Sequence, residues 1–516
     1  MLGPVADGLN TPRGGLIQPL GARAHFCTLG SLTILQSEDA LLSDENIAAV
    51  AAGAQQAVRP LAERLDLKGR LAAFGKYRWD GTPIGGPVLH IDDFSGIPFL
   101  VDISGVEEYQ HRARLRARAT DLYAATTAPT TGYEAYCEQV VGLAPVEVLT
   151  VEPVGKPMYL ARAAGSGETR TRLIDVARKA GRLTLHPFMG IEDIWELGER
   201  LSQEAEVPVT VLAPPPPTTW IANDKALFDE VVELMMGRNW LVETFSTDSV
   251  TELSRHLRQL AGGHVQVALK RLRCASAMGN AVFESARILE MSPAEIEETV
   301  QGFLERTEWR GDEAVLAVAW EQAEHSPSTQ LWIPPVGTGL PQLDGVFEQI
   351  LVGERKVFMG SRPSTLPEKV NLGLARGSLE VACGLQALGY VGRCSFDFLV
   401  VGDPEGDFEL RFTECNGRWG GTSTPMALMD RLFPEGRPAY RARDFVHPDL
   451  VGMPFTELLS RVGYAAWNHQ TAEGDYIFYN TGPLSEFGKL DVIALGPTQA
   501  EADRALEEDL PRLLGL

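Results

Sequence analysis

The stretch Arg411-Phe-Thr-Glu414-Cys-Asn416-Gly-Arg418-Trp-Gly-Gly421-Thr-Ser-Thr-Pro425 sets a carboxylate, an amide and a guanidinium at alternate positions. In a β-strand, whose side chains alternate with a period of two, Glu414, Asn416 and Arg418 share one face. Carboxylate and amide oxygens are hard ligands suited to Mg²⁺, and a guanidinium two positions on offers a planar fork that matches phosphate. Gly420-Gly421 then ends the strand and lets backbone approach a ligand, while Thr422 and Ser423 add hydroxyl donors. The pattern predicts nucleotide-phosphate chemistry.

Upstream, Gly389-Tyr-Val-Gly392-Arg393-Cys-Ser-Phe-Asp397-Phe-Leu-Val-Val401 alternates bulky residues around one acid, as a second strand would. Gly402-Asp-Pro-Glu-Gly-Asp407 is turn chemistry, so an antiparallel hairpin is expected, with Asp397 beside Glu414. Asp397, Glu414 and Asn416 are therefore the candidate metal ligands, and two carboxylates and an amide around one or two Mg²⁺ would clamp a triphosphate. The competing view is a charged hairpin face that binds nothing; three matched groups followed by Gly-Gly weigh against it. Cys415 lies between two of the ligands, so it should point to the opposite face, into the core. Trp419 fits core packing or stacking on a substrate.

The rest of the composition narrows the field. A chain of 516 residues exceeds one hydrophobic core, so two to four domains are expected. Lys+Arg 46 against Asp+Glu 69 gives 46 − 69 = −23, which argues against nucleic acid or an anionic membrane as partner. The six cysteines show no CxxC spacing, which favours reduced thiols over disulfides or a zinc site. The Gly/Pro-rich first 21 residues lack the apolar segment of a signal peptide, and no apolar run approaches the ~20 residues that cross a bilayer. A soluble, cytoplasmic protein is expected.

Along the chain, residues 1–110 hold a helix over 43–65 with a Ser/Asp start and a β pair at 86–91 and 97–103. His90-Ile-Asp92-Asp93 reads as a solvated turn without chemistry. Residues 111–217 alternate helix (109–125, 133–141, 191–205) with strand (146–151, 207–212), the mark of a small open α/β domain. Pro214-Pro-Pro-Pro217 reads as a stiff connector. Residues 218–433 continue as helices and strands to the hairpin. In residues 434–516, a Pro/Gly/Arg loop precedes strands at 476–479 and 490–495 and a helix from Gln499, opened by Thr498.

Basic groups stand out in an acidic chain. Asn223-Asp224-Lys225 opens an amphipathic helix, and Lys270 ends the apolar run Val265-Gln-Val-Ala-Leu269 ahead of Arg271, Arg273 and Ser276-Ala277-Met278-Gly279-Asn280. A strand running into basic residues and then a small-residue loop suits a polyphosphate. The Gly-Lys-Ser/Thr ending of a Walker loop and a G-x-G-x-x-G after a strand are both absent.

This order resembles the ATP-grasp superfamily over residues 218–430: two spaced lysines, a small-residue loop, an apolar strand entering a hinge, then Asp and Glu-x-Asn-x-Arg. More narrowly, Ser326-Pro-Ser-Thr-Gln330, Phe347-Glu-Gln349-Ile-Leu-Val-Gly353, Gly392-Arg393-x-x-x-Asp397-Phe398 and Asn416-x-Arg418-x-Gly-Gly-Thr422-x-x-Pro425 look like the pheganomycin-type peptide ligases. The resemblance implies an ATP-grasp fold preceded by a small open α/β domain, with the N-terminal region unassigned. It implies that Lys225 and Lys270 contact nucleotide phosphates and that Ser276, Ala277, Met278, Gly279 and Asn280 close over the γ-phosphate. Ala319, Trp320 and Glu321 would read adenine, with Gln330 also on the nucleotide. Asp397, Glu414 and Asn416 would hold Mg²⁺, or Mn²⁺ in its place. Arg418 would stabilise the transferring phosphate; Arg393 is either a second such group or a salt-bridged strand arginine. The family commonly carries a glutamate at the hinge, where this chain has Val318-Ala319-Trp320.

The implied activity is an ATP-dependent carboxylate-amine ligase that forms an amide through an acyl-phosphate. Its partners would be a carboxylic acid and an amine or peptide, in specialised metabolism, with a homodimer admissible. Phosphoryl transfer depends on positioning and charge neutralisation, which such a site supplies without a side-chain nucleophile. The rivals are an enzyme using ammonia, a thiol or carbonate as acceptor, a non-catalytic ATP-binding module, and an adaptor.

Overall fold

The computed structural model describes residues 42–98, 105–273, 279–311, 313–353 and 357–516. Within them the chain is a mixed α/β protein with one parallel and two antiparallel sheets. No described helix is long and apolar enough to cross a membrane.

The parallel sheet comprises β1 (Val88–Ile91), β2 (Leu122–Ala125), β3 (Glu147–Thr150), β4 (Leu183–Pro187) and β5 (Val209–Val211), in the order β3-β2-β1-β4-β5. Helices Gly167–Ala180 and Glu192–Ala205 cover it, burying Leu173, Ile194 and Leu201 against Leu89, Leu122 and Leu185. The division expected at residue 110 cuts through this domain, because β1 is its central strand. β1 pairs in parallel with β2 and β4, and Ile97 and Pro98 lie in a turn, so no local β pair forms there; residues 99–103 lie outside the described residues. The helix expected over 109–125 is instead a 3₁₀ segment, Val106–Leu115, followed by strand β2. Only the first half of the proline run, Pro214 and Pro215, lies outside regular structure. Pro216 and Pro217 form the first turn of the buried helix Pro216–Asn223, where a missing N–H costs nothing and the fixed φ suits the helix.

The second sheet, in the order β6-β9-β7-β8, joins β6 (Thr244–Thr247), β7 (Gln266–Arg271), β8 (Asn280–Glu284) and β9 (Val315–Ala319). Helices Val250–Ala261 and Pro293–Arg306 pack on it through Leu257, Val300 and Phe303; Ser292 and Glu295 close a reciprocal cap on the second. The third is an eight-stranded antiparallel sheet in the order β14-β13-β10-β11-β12-β15-β17-β16. Its strands are β10 (Pro327–Ile333), β11 (Gln342–Val352), β12 (Val357–Pro363), β13 (Gly392–Gly402), β14 (Phe408–Asn416), β15 (Ala439–Val446), β16 (Tyr476–Asn480) and β17 (Lys489–Gly496). β15 was expected to be loop; its Arg441 and Arg443 reach Glu507 on the C-terminal helical stretch, so its polar face is paired.

The helix Asp44–Ala57, capped by the Ser43 hydroxyl accepting from the Asn46 N–H at 3.3 Å, ends before Pro60, which starts a second short helix, Arg59–Arg64. Ile47, Ala54 and Leu61 pack into the core of the third sheet with Leu374, Phe396 and Phe412. The helices over 44–72 thus join the core of the third sheet, while Leu89 and Ile91 pack in the parallel-sheet domain.

Candidate active site

β13 and β14 form the expected hairpin, closed by Asp403 and Asp407, and the register sets Asp397 directly opposite Glu414 and Ser395 opposite Asn416. Asn416 Nδ2 donates to Asp397 Oδ2 at 3.0 Å. On the other side of β13, Ser328 of β10 stands opposite Asp397, and Gln330 Nε2 donates to Ser328 Oγ at 3.3 Å. Cys415 points away from this face, into the core.

Lys225 brings the first cation. It is buried, and its ammonium lies 3.0 Å from Glu414 Oε2. It is also the first residue of the helix Lys225–Met236, where a positive charge opposes the helix dipole. Asp224 offsets this as cap, accepting from the Ala226 and Leu227 N–H groups at 3.1 and 3.2 Å. A cation kept at an electrostatically wrong, buried position is the kind of local violation that functional sites retain. Lys270 comes from β7, opposite Asn280 of β8, with its ammonium 5.1 Å from the Trp320 ring centroid. Gly279 accepts from the Arg271 N–H at 2.9 Å. Ser276, Ala277 and Met278 lie outside the described residues.

The charges act on one another. Burial, then the Glu414 charge, pushes Asp397 up to about 7, against the hydrogen bonds from Ser328 and Asn416. Burial also pushes Glu414 upward, but Lys225, Lys270 and Arg418 outweigh it and hold that carboxyl below its ordinary value. Burial lowers Arg418, and Glu414 restores part of the loss. Asp229, one turn beyond Lys225, is raised by burial to about 7, against the charges of Lys270 and Lys225.

Arg418 reaches the site by a different route from the one alternation predicts. β14 ends at Asn416, and the Arg418 N–H turns back to the Asn416 carbonyl at 2.8 Å. Its guanidinium donates to Asn223 Oδ1, which also accepts from the Gly417 N–H at 3.1 Å, while Asn223 Nδ2 donates to the Thr219 carbonyl at 2.8 Å. A Cβ on Gly417 would lie 2.7 Å from Asn223 Nδ2, so glycine is needed for this approach. Asn223 went unrecognised as a site residue because its partners lie almost two hundred positions away.

Arg393 has other partners than Arg418 does. It is the second residue of β13, four residues and roughly 13 Å along the strand from Asp397 at strand rise. Its guanidinium pairs with Asp344, donates to the Leu331 carbonyl at 3.2 Å, and lies between the Trp332 and Trp419 rings at 5.6 and 5.3 Å. Those contacts engage the guanidinium within the fold. At the hinge, the Ala319 and Trp320 N–H groups already donate to the Glu243 and Gln266 carbonyls at 2.9 and 3.0 Å, so a base can take neither donor without breaking the sheet edge. Glu321 faces His264 at 3.7 Å.

The residues expected to form a solvated turn are instead buried: His90 meets Asp121 at 3.3 Å, Asp92 pairs with Arg116, and Asp93 accepts from the Ser95 and Ala161 N–H groups at 2.8 and 2.7 Å. Trp419 joins this cluster. Its N–H donates to the Phe188 carbonyl at 3.0 Å, its Nε1 to His186 Nε2 at 3.3 Å, and Arg116 lies 4.6 Å over its ring.

No known family model matches the sequence, and no curated protein matches it. Among solved structures, N5-carboxyaminoimidazole ribonucleotide synthetase from Thermus thermophilus is similar at 14% identity, with 83% of this chain and 98% of that chain covered and a TM-score of 0.47. The Staphylococcus aureus N5-carboxyaminoimidazole synthetase complexed with ADP is similar at 11% identity, over 84% of this chain and 99% of that chain, with a TM-score of 0.49. Biotin carboxylase from Campylobacter jejuni, in a β,γ-ATP complex, is similar at 12% identity, over 81% and 88%, with a TM-score of 0.49. Likeness of this degree fixes neither substrate nor activity.

Proposed function

We propose that the chain is an ATP-grasp enzyme, an ATP-dependent carboxylate-amine ligase of the pheganomycin peptide-ligase type. One observation carries the proposal: Asp397 and Glu414 face each other across one strand pair, with Asn416 3.0 Å from the first and Lys225 3.0 Å from the second.

This donor set fits a divalent cation. Two carboxylates held face to face repel, which is part of what raises Asp397, and a hard cation between them relieves that repulsion. Among the described residues no group of three or more His, Cys, Asp or Glu side chains gathers, so Asp397, Glu414 and Asn416 would share the ion with phosphate oxygens. When bound, Mg²⁺ neutralises triphosphate charge.

Lys225 and Lys270 hold the phosphates from two sides, and Arg418, aimed by Asn223, meets charge on the transferring phosphoryl group. A substrate carboxylate oxygen attacks the γ-phosphorus, the bond to the β-phosphate oxygen breaks, and ADP leaves. An amine then attacks the acyl-phosphate carbonyl, loses a proton and displaces inorganic phosphate, leaving an amide. The chain's part is placement and charge, so no side-chain nucleophile is needed. Adenine would contact the hinge through Glu321 and the carbonyls of Ala319 and Trp320. Motifs shared with the peptide ligases support an amino acid or small peptide as substrate and specialised metabolism as setting.

The test is ADP formation across pairs of acids and amines, with mass detection of the condensed product. Phosphate release that needs both partners supports the ligase; tight ATP binding without turnover on any acid would favour a nucleotide-binding module. Ammonia or a thiol as acceptor would show in the product mass.

A further inference from the structure

A second feature lies at the carboxyl edge of the parallel sheet. In the order β3-β2-β1-β4-β5, successive crossovers leave β1 in opposite directions, so the loops after β1 and β4 diverge and leave a crevice between them. That crevice is a cleft of about 440 Å³, within the size range of small-molecule sites. Ser95 and Gly96 after β1 and Ile191 after β4 form one end, and the approach is tight: a Cβ on Gly96 would lie 2.5 Å from Ile191 Cγ2. Tyr159 and Trp220 supply aromatic walls, and Arg271, Arg273 and Glu313 of the small antiparallel domain line the far side.

Its charges are mixed at close range. Arg162 lies 4.6 Å over the Tyr159 ring and pairs with Asp193 at 2.6 Å; Arg273 lies 4.8 Å over the Trp220 ring, whose Nε1 donates to Glu192 at 2.7 Å. The Arg162 and Arg273 side chains are 55% and 41% exposed, so either guanidinium can exchange a partner with little desolvation. A simple anion site would not carry acids beside its arginines. A molecule bearing both a carboxylate and an ammonium satisfies both signs, and the two rings give its side chain an apolar wall. The cleft also adjoins the phosphate end, since Arg273 reaches Asp224 at 3.3 Å and Asp224 caps the helix that Lys225 begins.

We infer that this cleft binds a zwitterionic amino acid or short peptide, one of the two molecules that the enzyme joins, with Arg162 and Arg273 facing its carboxylate and Glu192 and Asp193 its ammonium. The inference rests on the ligase reading. The full-length chain, Arg162→Gln, Asp193→Asn and Trp220→Phe would be titrated with the common amino acids and their glycyl dipeptides by saturation-transfer NMR, with and without MgATP. Binding of a fluorescent ATP analogue would be followed in parallel. Expected is binding of at least one amino acid or dipeptide, weakened roughly tenfold or more by Arg162→Gln and by Asp193→Asn, the scale of a lost charge-assisted contact, with analogue affinity unchanged. Trp220→Phe should alter preference among side chains. Unchanged amino-acid binding in both charge variants, or no binding of any probe by the wild type even with MgATP, overturns the assignment. Failure of the wild type to bind the ATP analogue overturns the ligase reading instead, a separate readout.

Discussion

Replacing Lys225 by methionine isolates chemistry from stability. The methionine keeps a buried stem of similar length but removes the ammonium 3.0 Å from Glu414. Breaking a fully buried ion pair costs about 3–5 kcal/mol, but the Glu414 side chain is 31% exposed, which reduces this to roughly 1–2 kcal/mol. Removing a cation from the first turn of a helix returns about 0.3–1 kcal/mol. The net loss of folding stability is therefore about 1 kcal/mol. Loss of a group that stabilises phosphoryl transfer is expected to cost about 10²–10³ in turnover. Thermal unfolding of the ligand-free protein and ADP release under saturating MgATP should diverge sharply, with the midpoint nearly kept and the rate collapsed. ADP formation within about threefold of wild type would refute the role of Lys225, as would inactivity explained by wholesale unfolding.

Chelation should abolish ADP formation and Mg²⁺ or Mn²⁺ restore it, while Glu414→Ala should not be rescued at the same metal concentration; a metal titration of both proteins checks this. Arg393→Met should cost roughly 3 kcal/mol, because Asp344 is left without its cation, and Arg393→Met/Asp344→Asn should regain part of it, as urea unfolding would report. In the folded Arg393 variant, turnover should survive where in Arg418→Met it does not. Asp93 is raised by burial to about 6 in the folded chain, above its unfolded value, so it binds its proton more tightly when folded. Its contribution is therefore present at low pH and is lost as pH rises from about 4 to 6, on the order of 3 kcal/mol. Asp93→Asn should flatten the slope of stability against pH in that interval, measured by chemical denaturation.

What could be read from the sequence was what is local. The hairpin carries its own instructions, since alternation on both strands and a turn at 403–407 set Asp397 against Glu414 whatever the rest of the chain does. The same rule did not show how Arg418 is aimed, because alternation assigns a face but not the partner that waits there, and it says nothing of what holds Arg393. Asn223 aims the first and Asp344 holds the second, and both lie far off in sequence. β1 looked like half of a local pair because an apolar run does not name its neighbour, and its true partners follow 30 to 100 residues later. His90, Asp92 and Asp93 looked solvated for the same reason: Asp121, Arg116 and Ala161, which satisfy them, converge only after folding. Charged Arg441 and Arg443 hid β15, since the acids that quiet them sit near the C-terminus.

Trp419 follows Arg418 directly and is gripped by Phe188, His186 and Arg116 of the parallel-sheet domain. The two units are therefore latched at the residue next to Arg418. Pulling them apart would drag the guanidinium away from Asn223; on the proposed reading, a molecule seated on the parallel sheet would therefore meet a phosphate end already in place, without a swing of one body onto the other.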